Sequence, residues 1–187
     1  MNDQPLDLSR TWTEAEYLAL GELEIRTELV DGKILVSPSP TRFHRAISLT
    51  LVFALRSAAR AAGLRSFETI DVRLGPGTIV APDIVIGKIG LELGVADAAD
   101  VILVAEVTSP SNASYDRGAK KARYASARVP WYLLVEPDMP GYQTVALRLF
   151  RLNGARYVEH ASSRHGRRLV SADPFPINVD TTELLEP

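Results

Sequence analysis

The chain has no cysteine among its 187 residues, which excludes disulfides and thiolate metal sites. It has no apolar run near the ~18–20 residues that cross a bilayer. Its first residues, Met1 to Asp7, lack the basic and apolar regions of a signal peptide. Together these absences predict a cytoplasmic protein with no membrane partner. A strong charge of one sign is missing too. The 21 Lys and Arg against 23 Asp and Glu leave a net charge of −2, unlike a strongly basic nucleic-acid coat protein. Of the three histidines, His160 and His165 show no metal-ligand spacing and read as incidental.

What is present describes a soluble, folded chain. Hydrophobic residues make up 46% and charged residues 24%, a balance that buries a core rather than leaving a disordered segment. The length suits one domain. Residues 1–10 read as a flexible arm and 11–187 as a single domain.

Local signals divide that domain. Thr11 or Thr13 can cap a helix to about Leu20, with Glu14 and Glu16 in its first turn. Arg26–Val30 and Lys33–Ser37 flank Asp31-Gly32, a strong hairpin signal. Thr41 to about Ala62 has helical spacing at Ile47, Leu51, Ala54, Leu55 and Ala58, and Gly63 ends it. Residues 66–73 alternate as a strand before the turn Gly75-Pro76-Gly77. Strands are expected at about 79–87 and 101–108, then a helix over 114–127 and a strand at Trp131–Val135. Val145–Leu152 and Arg156–Glu159 form a pair around Asn153-Gly154. The last thirty or so residues carry no readable motif. The order predicts an α/β (α+β) domain built on one mixed sheet.

Two apolar, β-branched segments each contain one carboxylate. Asp83 lies in Ala81-Pro82-Asp83-Ile84-Val85-Ile86, and Glu106 in Val101-Ile102-Leu103-Val104-Ala105-Glu106-Val107. A buried charge is expensive unless paired, hydrogen-bonded or metal-bound. Two carboxylates on neighbouring strands would make an oxygen site for a hard divalent cation. Strand periodicity places Ile102, Val104, Glu106 and Thr108 on one face. On the next helix Asp116, Lys120 and Tyr124 share a face at i, i+4 and i+8. Spacing alone prefers an Asp116–Lys120 surface pair to a lysine at a metal-bound water. Tyr124 reads as packing. Basic residues crowd two places, Arg117 to Arg128 and Arg164 to Arg168, and read as solvated faces or as phosphate contacts.

Pro82-Asp83, Glu106-Val107-Thr108-Ser109-Pro110-Ser111 and Asp116-Arg117-Gly118-Ala119-Lys120 with Tyr124 resemble the Uma-type restriction endonuclease family of the PD-(D/E)XK nuclease superfamily. Thr27-Glu28-Leu29-Val30-Asp31-Gly32, Ser39-Pro40-Thr41-Arg42-Phe43-His44 and Val129 to Pro137 extend the resemblance over roughly residues 10–155. It implies a restriction-endonuclease-like core with an N-terminal helix and hairpin. It implies Asp83 and Glu106 as ligands of Mg²⁺ or Mn²⁺, with a backbone carbonyl near Val107. In the wider superfamily a lysine stands two residues after the second acid, where this chain has Thr108. The resemblance therefore assigns the catalytic lysine to Lys120 rather than Lys121. Glu28, His44 and Asp116 are auxiliary candidates, with surface or capping roles left open for His44 and Asp116. Arg117, Lys121 and Arg123 are the candidate nucleic-acid contacts.

The expected function is thus a metal-dependent endonuclease acting on DNA. A catalytically silent nuclease-fold protein, binding nucleic acid or another protein, is the alternative that Thr108 and the modest charge suggest. A serine hydrolase built on Ser109 and His44 is disfavoured, because Ser109 precedes proline and lies in no Gly-x-Ser-x-Gly turn. A homodimer would suit cutting both strands of a duplex, but no feature of the sequence derives one.

Overall fold

The computed structural model of the protein describes residues 6–21, 23, 25–92, 94–108, 116–138 and 141–185, with the backbone alone at 116 and 117. Thr13 caps α1 (Glu14–Leu18) through a capping box: its hydroxyl accepts from Glu16 N and its N–H donates to the Glu16 carboxylate. The hairpin β1 (Arg26–Val30) and β2 (Lys33–Ser37) pairs in the expected register. Asp31 and Gly32 both adopt positive φ, 51° and 75°, as a two-residue turn matching strand twist requires.

Helix α2 (Arg42–Ala61) starts at Thr41, whose hydroxyl accepts from His44 N at 3.2 Å. It buries Ile47, Leu51, Leu55 and Ala59 and leaves Ala54 exposed. The expected strand at 66–73 is two strands in two sheets, β3 (Arg65–Glu68) and β4 (Val72–Gly75). Thr69 breaks it with φ 47°, a left-handed conformation that does not continue a strand. The expected strand at 79–87 is likewise divided, into β5 (Thr78–Val80) and β6 (Ile84–Gly87). Ala81, Pro82 and Asp83 carry the chain between the sheets, so Asp83 stands just before β6 rather than within a strand.

The first sheet runs β2-β1-β5-β4-β7, where β7 is Ala96–Asp97. The second has β8 (Val101–Val107), β9 (Trp131–Pro137), β10 (Val145–Asn153) and β11 (Arg156–Ser163). Its order is β11-β10-β9-β8-β6-β3, and only β8 and β9 pair in parallel. Two mixed sheets thus replace the one expected.

The second sheet is buried on both faces, which is why its strands read as nearly unbroken apolar runs. One face packs Ile84, Ile86, Leu103, Ala105 and Val107 against α2 and the C-terminal segment. The other packs Val85, Val104, Tyr132 and Leu134 against Val30, Val72 and Val80 of the first sheet and Tyr124. Opposite Ile86 and Gly87 the register slips by one residue at Ile102. This bulge sends Ile102 to the α2 face, so it does not share the face of Val104 and Glu106 as simple alternation predicted.

The segment after β8 is described from Asp116. Asp116–Lys120 is a π-helical turn leading into α3 (Lys121–Ser126). The C-terminal residues form a further hairpin, β12 (Arg168–Ser171) with β13 (Ile177–Asp180). Leu169, Phe175, Ile177, Val179 and Leu184 from this segment complete the α2-side core. Among the described residues no helix is long and apolar enough to cross a membrane.

Candidate active site

The site forms where the chain leaves the first sheet and enters the second. On β6 and β8, Ile84 faces Ala105 and Val85 faces Val104. The same antiparallel register, carried one step further, sets Asp83 opposite Glu106. Alternation then puts both on the face of Val85 and Val104 rather than the α2 face. On β1, Arg26 and Glu28 share the face of Val30, which packs into the same core. Three acids from two sheets therefore converge, and all are nearly inaccessible: Glu28 2%, Asp83 2% and Glu106 1% exposed.

Each acid is held. Asp83 Oδ2 accepts from Val107 N at 2.8 Å and lies 3.1 Å from His44 Nε2. Its Oδ1 accepts from Arg26 Nη1 at 3.0 Å. Arg26 Nη2 also donates to the Ala81 carbonyl, so the guanidinium clamps the crossing between the sheets. Glu28 Oε1 accepts from Ala81 N at 3.1 Å and lies 3.2 Å from Lys120 Nζ. Lys120 Nζ reaches both oxygens of Glu106, at 3.2 and 3.3 Å. Tyr124 donates to Glu106 Oε1. Lys120 and Tyr124 thus meet the same carboxylate, as residues one helical turn apart can.

The electrostatics follow from this packing. Burial raises the Asp83 pKa, but His44, Arg26 and the Val107 N–H together outweigh it and hold the carboxyl at about 2. Burial opposes the charge on Arg26, and Asp83, Glu106 and Glu28 more than restore it. Burial and the nearby Glu106 push the Tyr124 phenol well above its ordinary value. The phenol is therefore a donor and not a base.

Three buried acids face the guanidinium of Arg26 and the amine of Lys120. The donors of this cluster are hard oxygens, which fit a hard divalent cation better than a soft one. Among the described residues no three His, Asp or Glu groups form a ready-made cage. Mg²⁺ binds through one or two carboxylates and completes its shell with water and phosphate. Thr108 Oγ1 is also buried and, among the described residues, has no hydrogen-bond partner. The donor set fits the ion that the resemblance implies.

Other candidates lie apart from this cluster. Lys121 Nζ sits 3.2 Å above the Phe150 ring, and Arg123 reaches toward Asp31 of the hairpin at 3.7 Å. The side chains of Asp116 and Arg117, and all of Ser109, lie outside the described residues. Arg26 was missed in the sequence reading. Its signal was position, two residues before Glu28 on the same strand face, but a strand-terminal arginine is ordinarily a surface group.

Comparison with family descriptions matches residues 14–183 to Uma2, described as a putative restriction endonuclease. No curated protein matches the chain significantly. Among solved structures, a putative nuclease from Anabaena variabilis matches with a TM-score of 0.68 at 20% identity. The match covers 92% of this chain and 97% of that one. At that identity the likeness shows a shared fold, and the expected restriction-endonuclease-like core is borne out.

Proposed function

This chain belongs to the Uma2 family of putative restriction endonucleases, and from that premise we propose that it is a metal-dependent endonuclease hydrolysing phosphodiester bonds of DNA. One observation carries the reading. Asp83, just before β6, falls in line with Glu106 of β8 when the Ile84–Ala105 pairing is carried one step on, and Lys120 Nζ lies within 3.3 Å of both Glu106 oxygens.

Asp83 and Glu106 would hold the ion, with the backbone carbonyl near Val107. A bound Mg²⁺ or Mn²⁺ supplies a Lewis acid for the phosphate and lowers the pKa of its water. The chain's own groups do the rest. His44 and the Val107 N–H fix the Asp83 carboxylate in one orientation. Tyr124 fixes Glu106. Lys120 places a positive charge beside the acids, where it orients an attacking water and stabilises negative charge growing on the phosphoryl oxygens.

The alternative is a catalytically silent domain that binds nucleic acid or protein. It is favoured by the cations already present, Arg26 on Asp83 and Lys120 on Glu106. The deciding experiment incubates purified protein with supercoiled plasmid and with single-stranded DNA in Mg²⁺, Mn²⁺ or EDTA, beside Asp83→Ala and Lys120→Ala. Metal-dependent cleavage lost in both variants supports the nuclease. Cleavage unchanged in both removes this site assignment. No cleavage, together with no heat of Mn²⁺ binding by calorimetry, supports the silent domain.

A further inference from the structure

Helix α2 carries charge of one sign on a face that, among the described residues, no other element covers. Its inner side buries His44, Ile47, Ser48, Leu51, Leu55 and Ala59. Its outer side presents Arg42, Arg45, Leu49, Phe53, Arg56 and Arg60, all exposed. Their spacings of three and four keep them in one stripe. From Thr41 to Phe67 the charged residues are Arg42, Arg45, Arg56, Arg60 and Arg65, with no Asp or Glu. This excess of cations sits in a chain whose net charge is −2.

Some surface arginines carry carboxylate partners, whereas those of the stripe, like Arg151, Arg156, Arg164 and Arg167, are described without one. Arg10 pairs with Glu16, Arg73 with Glu14 and Asp97, Arg148 with Glu159, and Arg168 with Asp180. Among the described residues Arg42, Arg45, Arg56 and Arg60 make no ion pair. The stripe also starts in the helical turn that carries His44, which points to the opposite, buried side of α2. Arg42 and Arg45 flank His44, whose imidazole touches Asp83. At 1.5 Å per residue, Arg60 lies roughly 27 Å further along the axis.

We propose that this outer face of α2 docks the phosphate backbone of DNA. The proposal rests on the nuclease reading above and adds a surface that holds the substrate. Arginine suits phosphate because its planar fork donates two hydrogen bonds to one group. Phe53, 60% exposed between the two arginine pairs, offers a surface on which a base or sugar can rest. A second copy of the chain fits the stripe poorly. Packing α2 on α2 in either direction sets arginines against arginines, which repels.

The test is fluorescence anisotropy in EDTA, which prevents cleavage, over a range of salt. The probes are a fluorescein-labelled duplex of arbitrary sequence and its single strand. Arg45→Gln/Arg56→Gln/Arg60→Gln is compared with Arg156→Gln/Arg164→Gln/Arg167→Gln, which removes the same charge from exposed positions elsewhere. The α2 variant is expected to bind about tenfold or more weakly at low salt. Its dependence of log K on log salt should fall by about two to three, near 0.9 for each phosphate that the protein no longer neutralises. The control variant should lose less than about a third of that in log affinity. Equal losses in the two variants, or no loss in the α2 variant, overturn the docking face and leave the nuclease reading standing. Failure of the wild type to bind either probe also overturns it, and the plasmid assay then judges the nuclease reading separately. A wild-type dimer by light scattering that Phe53→Glu converts to monomer assigns the face to a second copy, and so overturns the proposal.

Discussion

Tyr124 donates its phenolic hydrogen to Glu106 Oε1 across 2.5 Å, from a ring with no exposed surface. A packing residue therefore also holds the acid that faces Asp83. Tyr124→Phe keeps the ring and deletes one hydrogen bond to a buried charge, a change worth about 1.5–3 kcal/mol. Tyr124→Ala adds a cavity and should cost about 3–5 kcal/mol. Urea denaturation measures both. If Tyr124→Phe unfolds at the wild-type midpoint, the hydrogen bond contributes nothing and the ring alone matters.

Arg26 competes with any cation for Asp83, since its Nη1 lies 3.0 Å from Oδ1. A unit charge about 5 Å from a divalent ion opposes it by several kcal/mol at an effective dielectric near 20. Arg26→Gln should therefore bind Mn²⁺ at least about tenfold more tightly without DNA, measured by calorimetry. It should also lose stability, because it leaves Asp83 with only His44 and the Val107 N–H. Weaker Mn²⁺ binding by a folded Arg26→Gln would mean that the arginine shapes the ion site rather than competing for it.

The legible parts of the fold were those with local chemical causes. Asp31-Gly32 marks a tight turn, Thr11 or Thr13 could cap the first helix and the structure uses Thr13, and α2 shows its buried face at Ile47, Leu51 and Leu55. The candidate acids were legible because a lone carboxylate in a β-branched run is conspicuous. Less legible was what depends on neighbours distant in sequence. Nothing near Thr69 announces a left-handed residue; its N–H donates to the Asp83 carbonyl, a tertiary contact. The two-sheet division at Ala81-Pro82-Asp83 was hidden because both halves are apolar strands. Arg26 looked like a surface residue because the acids that neutralise it lie as far as 57 and 80 positions away.

Burial also predicts how the protein responds to alkali. It raises the phenol pKa of Tyr17, Tyr124 and Tyr157 above the ordinary 10.0. A raised pKa means that folding favours the neutral phenol. That contribution is complete below about pH 10 and is lost as pH climbs above it toward the folded-state value. At alkaline pH the native protein should show less phenolate absorbance than the denatured chain, with the remainder appearing as it unfolds. Full phenolate absorbance while the far-ultraviolet circular dichroism stays native would show that these rings are not sealed from water.

The C-terminal segment supplies the last test, because it holds no motif and yet completes a core. Leu169, Phe175, Ile177 and Val179 are at most 2% exposed and pack on the α2 side of the second sheet. The apolar residues are short and separated, so no window of sequence shows a period; only the sheet they cover makes them a unit. Phe175→Ala should then cost about 3–5 kcal/mol, as for a large ring removed from a packed interior. The exposed Val170→Ala, on the neighbouring strand position, should change stability by less than about 0.5 kcal/mol. Because α2 packs against the same core, the loss at Phe175 should appear as one cooperative transition in denaturant with an unchanged slope. A separate early transition for the C-terminal hairpin would instead show that it sits on the core without being part of it.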